Sequence, residues 1–234
     1  MLADGVIEKL NASYHSRPVI VQKTEDKVRV CIDYRNLNDC IKPASWPLPN
    51  VRGLLERIGH NKPTVFGVIN LTAGNHQAPL YPRRLFTAFL CFCGLYQFTW
   101  LPFGPKRAPS YFWEQMITKV LQGLLYVSCE IYLDNCIVYA LSEGQFLIRL
   151  KEVSQRFRER GLLLNAKKCK FGLPQLEYVG RVISKEGLSM SKVKIQSVLK
   201  FEKPRNLRTL RSLLGLANYF RGFVPNHSLI VKPL

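Results

Sequence analysis

The spacing of apolar and polar positions changes period several times along the chain. Arg17-Pro18-Val19-Ile20-Val21 and Val28-Arg29-Val30-Cys31-Ile32 are short β-prone runs on either side of the polar Thr24-Glu25-Asp26-Lys27. That pattern predicts an antiparallel hairpin. Thr64 to Asn70 is β-rich and nearly all apolar, so it predicts a central strand whose last residue emerges from the core. Around Gly94 the uncharged stretch from Leu85 to Pro105 alternates like a second hairpin. Tyr111 to Leu125, after Pro109 and Ser110, reads as a helix. Leu150, Val153 and Phe157 mark one face of another helix that ends at Gly161 and carries basic residues on its other face. Between the helices, Glu130 to Tyr139 has two β-prone arms around the centre Asp134-Asn135, the composition of a tight hairpin. No repeat and no low-complexity tract interrupts the chain, which reads as one continuous unit.

The 234 residues are 47% hydrophobic, enough for a real core, which excludes disorder as the default. The net charge of +18 favours a polyanionic partner, nucleic acid or an anionic surface. It is also uneven. Residues 149–234 hold nineteen basic and five acidic side chains, net +14, against net +4 in residues 1–148. The stretch Leu85–Pro105 is long enough to raise the question of a membrane span, but Gly94, Gln97, Thr99 and Pro102 argue against one. The start Met1-Leu2-Ala3-Asp4-Gly5 has no signal-peptide character, so an intracellular setting is expected. Seven cysteines, with one Cys-x-Cys pair and no Cys-x-x-Cys, fit neither a disulfide framework nor a zinc ribbon; reduced, mostly buried thiols are expected.

The Asp-Asn centre of the third hairpin carries two readings. Taken alone it is good turn chemistry. Beside the end of a second strand, carboxylates in such a turn could instead hold hard divalent cations, which prefer carboxylate and phosphate oxygens.

Over nearly its whole length the chain resembles reverse transcriptases of gypsy-type LTR retrotransposons. The resemblance is carried in order by Gly5-Val6-Ile7-Glu8, Arg17-Pro18-Val19, Arg29 to Asn38, Pro47-Leu48-Pro49, Leu71 to Gln77, Thr87-Ala88-Phe89 and Leu101-Pro102-Phe103-Gly104. Ala108-Pro109, Tyr132-Leu133-Asp134, Gly161-Leu162, Leu164-Asn165, Lys168-Cys169, Phe171-Gly172, Tyr178-Val179-Gly180 and Leu213 to Phe220 complete it. These pieces, in one order across about 220 residues, are far more specific than any one of them. The resemblance implies an α+β right-hand polymerase fold: fingers at 1–64 and 79–107, palm at 65–78 and 108–184, and a partial thumb at 185–234.

It also implies a two-metal magnesium site for phosphoryl transfer, built from one strand-end aspartate and two in the hairpin turn. Those positions are Asn70, Asp134 and Asn135, so one carboxylate of three remains and the formal charge falls from −3 to −1. Magnesium is therefore expected to bind weakly, at Asp134. By the same resemblance Lys168 lies near the leaving pyrophosphate, and Lys23 and Arg29 grip the triphosphate. Asn75 stands where an aromatic gates the sugar, and Gln77, Phe103 and Gly104 line the nucleotide site. Further departures are Phe86 before Thr87, where a lysine is usual, and Pro105-Lys106-Arg107 in the loop below the templating base. A primer-grip-like segment, Leu176 to Ser184 with Tyr178 and Gly180, and Arg205, Arg208 and Arg211, spaced three apart on one helix face, are expected to hold an RNA–DNA or DNA duplex by its backbone. No ribonuclease H or integrase part is recognised. Three functions stay open at this point: a duplex holder that does not polymerise, a weakly active two-magnesium RNA-directed DNA polymerase, and a scaffold or nonfunctional remnant.

Overall fold

The computed structural model describes residues 1–24, 27–42, 50–72, 74–80, 84–178 and 180–232. Twelve strands and seven helices follow one another through these residues. The strands are β1 (Ile7–Lys9), β2 (Arg17–Thr24), β3 (Lys27–Asp33), β4 (Val65–Asn70), β5 (Phe89–Cys91), β6 (Gly94–Phe98), β7 (Cys129–Tyr132), β8 (Asn135–Ala140), β9 (Lys170–Leu173), β10 (Gln175–Tyr178), β11 (Arg181–Ser184) and β12 (Gly187–Met190). The helices are α1 (Arg35–Cys40), α2 (Val51–His60), α3 (Ala108–Gln115), α4 (Glu143–Glu159), α5 (Lys192–Leu199), α6 (Leu207–Tyr219) and α7 (His227–Val231). Four antiparallel sheets result: β2-β3, β1-β6-β5, β7-β8-β4-β9 and β10-β11-β12.

The four-stranded sheet positions the site. Its strands alternate between two cores, as a pleat of period two requires. On one face Ile69, Ile131, Cys136, Val138 and Ala140 pack with Phe112 and Trp113 of α3 and Phe146, Val153 and Phe157 of α4. On the other, Phe66, Ile137 and Tyr139 pack with Leu54, Leu55 and Ile58 of α2 and with Leu176 and Ile183 of the β10–β11 hairpin. Gly67 lies on the α4 side, where a Cβ would sit 2.7 Å from the Phe146 ring, so a glycine lets the helix press directly onto the strand. Covered on both faces, β4 and β8 have the near-continuous apolar sequence expected of them.

One charge breaks that pattern. Glu130 of β7 faces α2 and is wholly buried, and Arg57 of α2 meets its carboxylate with two hydrogen bonds, Nε to Oε1 at 2.7 Å and Nη2 to Oε2 at 2.9 Å. The guanidinium also lies 4.7 Å from the Tyr126 ring centroid. A fork-to-fork pair of this kind is what makes a buried carboxylate tolerable.

The three expected hairpins are present, and the uncharged stretch is β5–β6, turning at Phe92 and Cys93; among the described residues no helix is long and apolar enough to cross a membrane. Some expectations shift. The helix placed at 111–125 begins at Ala108, because Pro109 suits a first turn where its missing N–H costs nothing, and it widens into a π-turn at Met116–Val120. The helix ending at Gly161 starts at Glu143, capped by Ser142. Its basic face is partly spent: Arg149 donates to the Tyr139 carbonyl, and Arg156 to those of Val120 and Gln122. The seven cysteines are free, but only Cys129 and Cys136 are buried, while Cys40 and Cys93 are exposed. The Pro47-Leu48-Pro49 motif lies outside the described residues.

The buried pair predicts an asymmetry. Arg57→Ala strands a fully buried carboxylate and should destabilise the fold by about 3–5 kcal/mol, whereas Glu130→Gln keeps an acceptor for the partly exposed guanidinium and should cost well under half as much. Urea unfolding of the two variants measures both, and equal losses would mean that the buried carboxylate imposes no such penalty.

Candidate functional site

Strand β4 ends where the β7–β8 turn begins, because the register pairs Asn70 with Asn135. The two side chains meet there: Asn70 Nδ2 donates to Asn135 Oδ1 at 2.7 Å. The turn itself differs from the sequence reading. Tyr132 pairs with Asn135, so Leu133 and Asp134 occupy the two loop positions and Asn135 is the first residue of β8. Leu133 has φ +53°, a left-handed conformation that a leucine adopts only under strain. The strain places Asp134 at the crest, where its carbonyl accepts from Leu71 N–H at 2.9 Å and its carboxylate lies close to Gly74.

Asp134 is partly buried, and desolvation raises its carboxyl above the ordinary range, with the Lys168 ammonium pulling the other way. Lys168 sits on a short turn, Ala166–Lys168, anchored by the Asn165 N–H donating to the Asn70 carbonyl at 2.8 Å. The Asn70 N–H in turn reaches Cys169 Sγ at 3.4 Å. The structure thus brings Asn70, Asp134, Asn135 and Lys168 together. Among the described residues, no three His, Cys, Asp or Glu side chains cluster to hold a metal ion.

The flanking positions divide. Asn75 is buried in the turn Gly74–Gln77. Gln77 is a clamp: its Nε2 donates to the Leu163 carbonyl at 3.0 Å and its Oε1 accepts from Leu163 N–H at 2.6 Å. Its amide is consumed by backbone, which fits a holding role better than direct contact with a nucleotide. His76 lies between Phe98 and the half-exposed Phe103, at ring distances of 5.8 and 5.1 Å, and burial lowers its pKa. Gly104, at φ +110°, runs so close to Tyr34 that a Cβ would approach the ring to 3.0 Å. Asn38 pins this loop from α1, donating to the Gly104 carbonyl and accepting from Lys106 N–H. Beside the loop opens a cleft of 1240 Å³ whose lining includes Tyr14, Leu37, Phe86, Pro105 and Tyr111. Lys23 and Arg29 belong to β2 and β3, and their side chains lie outside the described residues.

Of the expected duplex-binding residues, Tyr178 is buried, and its hydroxyl donates to the Asn135 carbonyl at 3.5 Å. It props the turn from behind, so a surface contact by this side chain is ruled out by packing. Gly180 forms the β10–β11 turn at φ +74°. Arg208 and Arg211 are exposed on α6, but Arg205 precedes the cap residue Asn206, so the three do not share a helix face. The capping box of Asn206 and Thr209 starts the helix after Arg205. Sequence reading missed the Gln77–Leu163 clamp and the tyrosine prop, for which no local signal exists. Cys169 was in view as a motif residue, and only the fold shows it beside Asn70.

Comparison with known proteins shows the family and the fold. The profile of the family described as reverse transcriptase (RNA-dependent DNA polymerase) matches residues 21–207. The chain is 31% identical over 240 residues to the retrovirus-related Pol polyprotein from transposon 297 of Drosophila melanogaster, covering 100% of this chain and 22% of that protein. It is 30% identical over 236 residues to the transposon Tf2-7 polyprotein of Schizosaccharomyces pombe, covering 17% of it. The chain thus spans about a fifth of the length of these relatives. Among solved structures it is similar to a foamy viral protease-reverse transcriptase in complex with double-stranded DNA, with TM-score 0.90, 25% identity, and coverage of 99% of this chain and 40% of that one. A foamy viral protease-reverse transcriptase in complex with an RNA/DNA hybrid matches with TM-score 0.84 at 24% identity, over 99% of this chain and 31% of that one.

The partly buried carboxyl of Asp134 gives stability a pH dependence of definite sign. A folded-state pKa raised above the unfolded value means that the native state holds the proton more tightly. The stability this contributes is complete at low pH and is lost as pH rises past the ordinary carboxylate value. Asp134→Asn should therefore raise Tm at pH 7. The gain should vanish near pH 3, and thermal melts across pH test it; a lower Tm at pH 7 would contradict it.

Proposed function

The chain belongs to the reverse transcriptase (RNA-dependent DNA polymerase) family, and from that premise we propose that it is a gypsy-type module that holds a template–primer duplex without extending it. Its fold is the right-hand polymerase fold of its foamy viral neighbours, and its relatives are retroelement polyproteins. In this reading residues 1–64 and 79–107 are fingers, 65–78 and 108–184 palm, and 185–234 a partial thumb.

The observation that carries the reading is the hydrogen bond between Asn70 and Asn135. Reverse transcriptases generally depend on divalent metal, and paired magnesium ions need carboxylate oxygens at these positions. The donor set here does not fit them. One carboxylate is left, Asn135 Oδ1 already accepts from its neighbour, and the Lys168 ammonium repels a cation. Magnesium would be held weakly, through Asp134. Loss of metal assistance worth several kcal/mol corresponds to about a thousandfold or more in rate.

Duplex holding is supported by the charge distribution and by what the foamy viral relatives bind. Net +14 across residues 149–234 suits contacts to phosphates, which carry little sequence information. The fingers-side cations Lys23 and Arg29, and Lys168 beside the turn, are further phosphate-binding candidates in this reading.

Primer extension on an RNA template in magnesium tests the catalytic half: no product above a protein-free control is expected, and incorporation of several nucleotides would overturn it. The double variant Asn70→Asp/Asn135→Asp exchanges a hydrogen bond for like charges. It should lower Tm in EDTA, regain stability on adding magnesium, and bind magnesium at least tenfold more tightly by calorimetry, still without normal extension. Equal affinity in parent and variant would refute the assignment of these residues to the metal site.

For the binding half, anisotropy of a labelled RNA–DNA hybrid across a salt series should give a slope of about −4 to −5 in log K against log salt, the value for four to six phosphate contacts. Replacing Arg208 and Arg211 should reduce it by about two. A flat salt dependence would refute duplex holding.

A further inference from the structure

Neither α5 nor α6 fully buries a single side chain, so core packing alone does not place the basic helix that carries Arg208 and Arg211. The sequence just after α6 does better: Phe220 is buried, and it meets Tyr219 edge to face at 4.7 Å. Against this aromatic end lies Arg181, the first residue of β11. Its guanidinium stands 5.4 Å from the centroid of the Tyr219 ring and 5.5 Å from that of Phe223, and its Nη2 donates to the Tyr219 carbonyl at 3.3 Å. Its Nε is buried without a hydrogen-bond partner.

Each of these contacts suits a guanidinium. A helix C-terminus presents unpaired carbonyls and negative partial charge, which a cation relieves. Two ring faces add cation–π attraction, and a planar fork can lie against both while still reaching a carbonyl, which a lysine ammonium cannot. The partner strand is fixed: Arg181 pairs with Tyr178, which props the β7–β8 turn, and with Met190 of β12. The turn at Gly180 is held in the same way, since its carbonyl accepts from the N–H of Ser191, the α5 cap, and Lys194 packs over the position where a Cβ would stand.

We propose that Arg181 is the positioning residue that sets the orientation of α6, and with it the phosphate-facing arginines, relative to the β10–β11 hairpin and the turn behind it. Arg181 acts here through the helix and not by touching nucleic acid. The placement stands on the contacts above; the role given to the placed helix rests on the duplex-holding reading.

Two measurements on the full chain separate these claims. In hydrogen exchange of the free protein, Arg181→Ala should speed exchange in Leu207–Tyr219 at least tenfold while leaving Val65–Asn70 unchanged, and the double variant Tyr219→Leu/Phe223→Leu should do the same. Unchanged protection of α6 would overturn the proposal whatever the protein binds. Arg181→Lys should fail to restore protection, and full rescue would overturn the two-ring bracket in favour of charge alone.

In the anisotropy salt series, replacing Arg208 and Arg211 together should lower the slope by about two in the parent and by less than one in the Arg181→Ala background. Equal losses in both backgrounds would overturn the coupling. A parent chain that fails to bind the hybrid would refute duplex holding, and the exchange result then decides the positioning by itself.

Discussion

The antiparallel pairing of β4 with β8 is the constraint on which the rest of the molecule depends. Its register runs from Val65 opposite Ala140 to Asn70 opposite Asn135. Both strands are buried on both faces, so a slip of one residue would turn Ile137 and Tyr139 into the core built for Cys136 and Val138. The register in turn brings the end of β4 to the β7–β8 turn. From there the segments around Leu163 and Lys168 are tied on by backbone hydrogen bonds, including Thr72 N–H to the Leu163 carbonyl at 2.9 Å, and that around Gln77 by its side-chain amide. The site is the place where a well-packed sheet ends and polar groups must be satisfied.

How they are satisfied bears on the chemistry. Three carboxylates converging at such an end repel one another and need cations to coexist. Two amides need none, because one donates where the other accepts. The Asn70–Asn135 bond therefore closes the end of the sheet with its own groups, and these two side chains need no cation to meet. The remaining cost is concentrated in two neighbours, the left-handed Leu133 and the partly buried Asp134. Strain and desolvation at a turn that the surrounding sheet holds in place are features of a functional site. They persist here although two of the three expected charges are gone.

Individual polar anchors add to the apolar packing around the sheet. A bidentate Arg57–Glu130 pair fastens α2 to β7, Asn38 fastens the loop at Gly104, and Arg181 fastens the end of α6. For α2 the pair adds to the packing of Leu54, Leu55 and Ile58, and the directionality of all three anchors sets orientation as well as proximity. The basic surface of residues 149–234 is thereby mounted on a sheet that contains little of that charge.

Local pattern alone determined the hairpins β2–β3, β5–β6 and β7–β8, the central strand ending at Asn70, and the two helices that cover one face of the sheet. Periods of two and 3.6 and turn residues are properties of neighbours along the chain. Motif order identified the family and marked Asn70, Asp134, Asn135 and Lys168, which the fold does bring together. Tertiary structure decided what depends on partners far apart in sequence: Asn70 with Asn135 across 65 residues, Arg57 with Glu130 across 73, and Gln77 with Leu163 across 86. It also moved the hairpin turn by one residue to Leu133-Asp134, buried Tyr178 behind that turn, and left Arg205 outside the helix of Arg208 and Arg211. The physical reason is common to all of these. A side chain's hydrogen-bonding capacity is written in its type, but the group that will satisfy it is chosen only when the register of the sheet and the packing of its layers bring distant segments together.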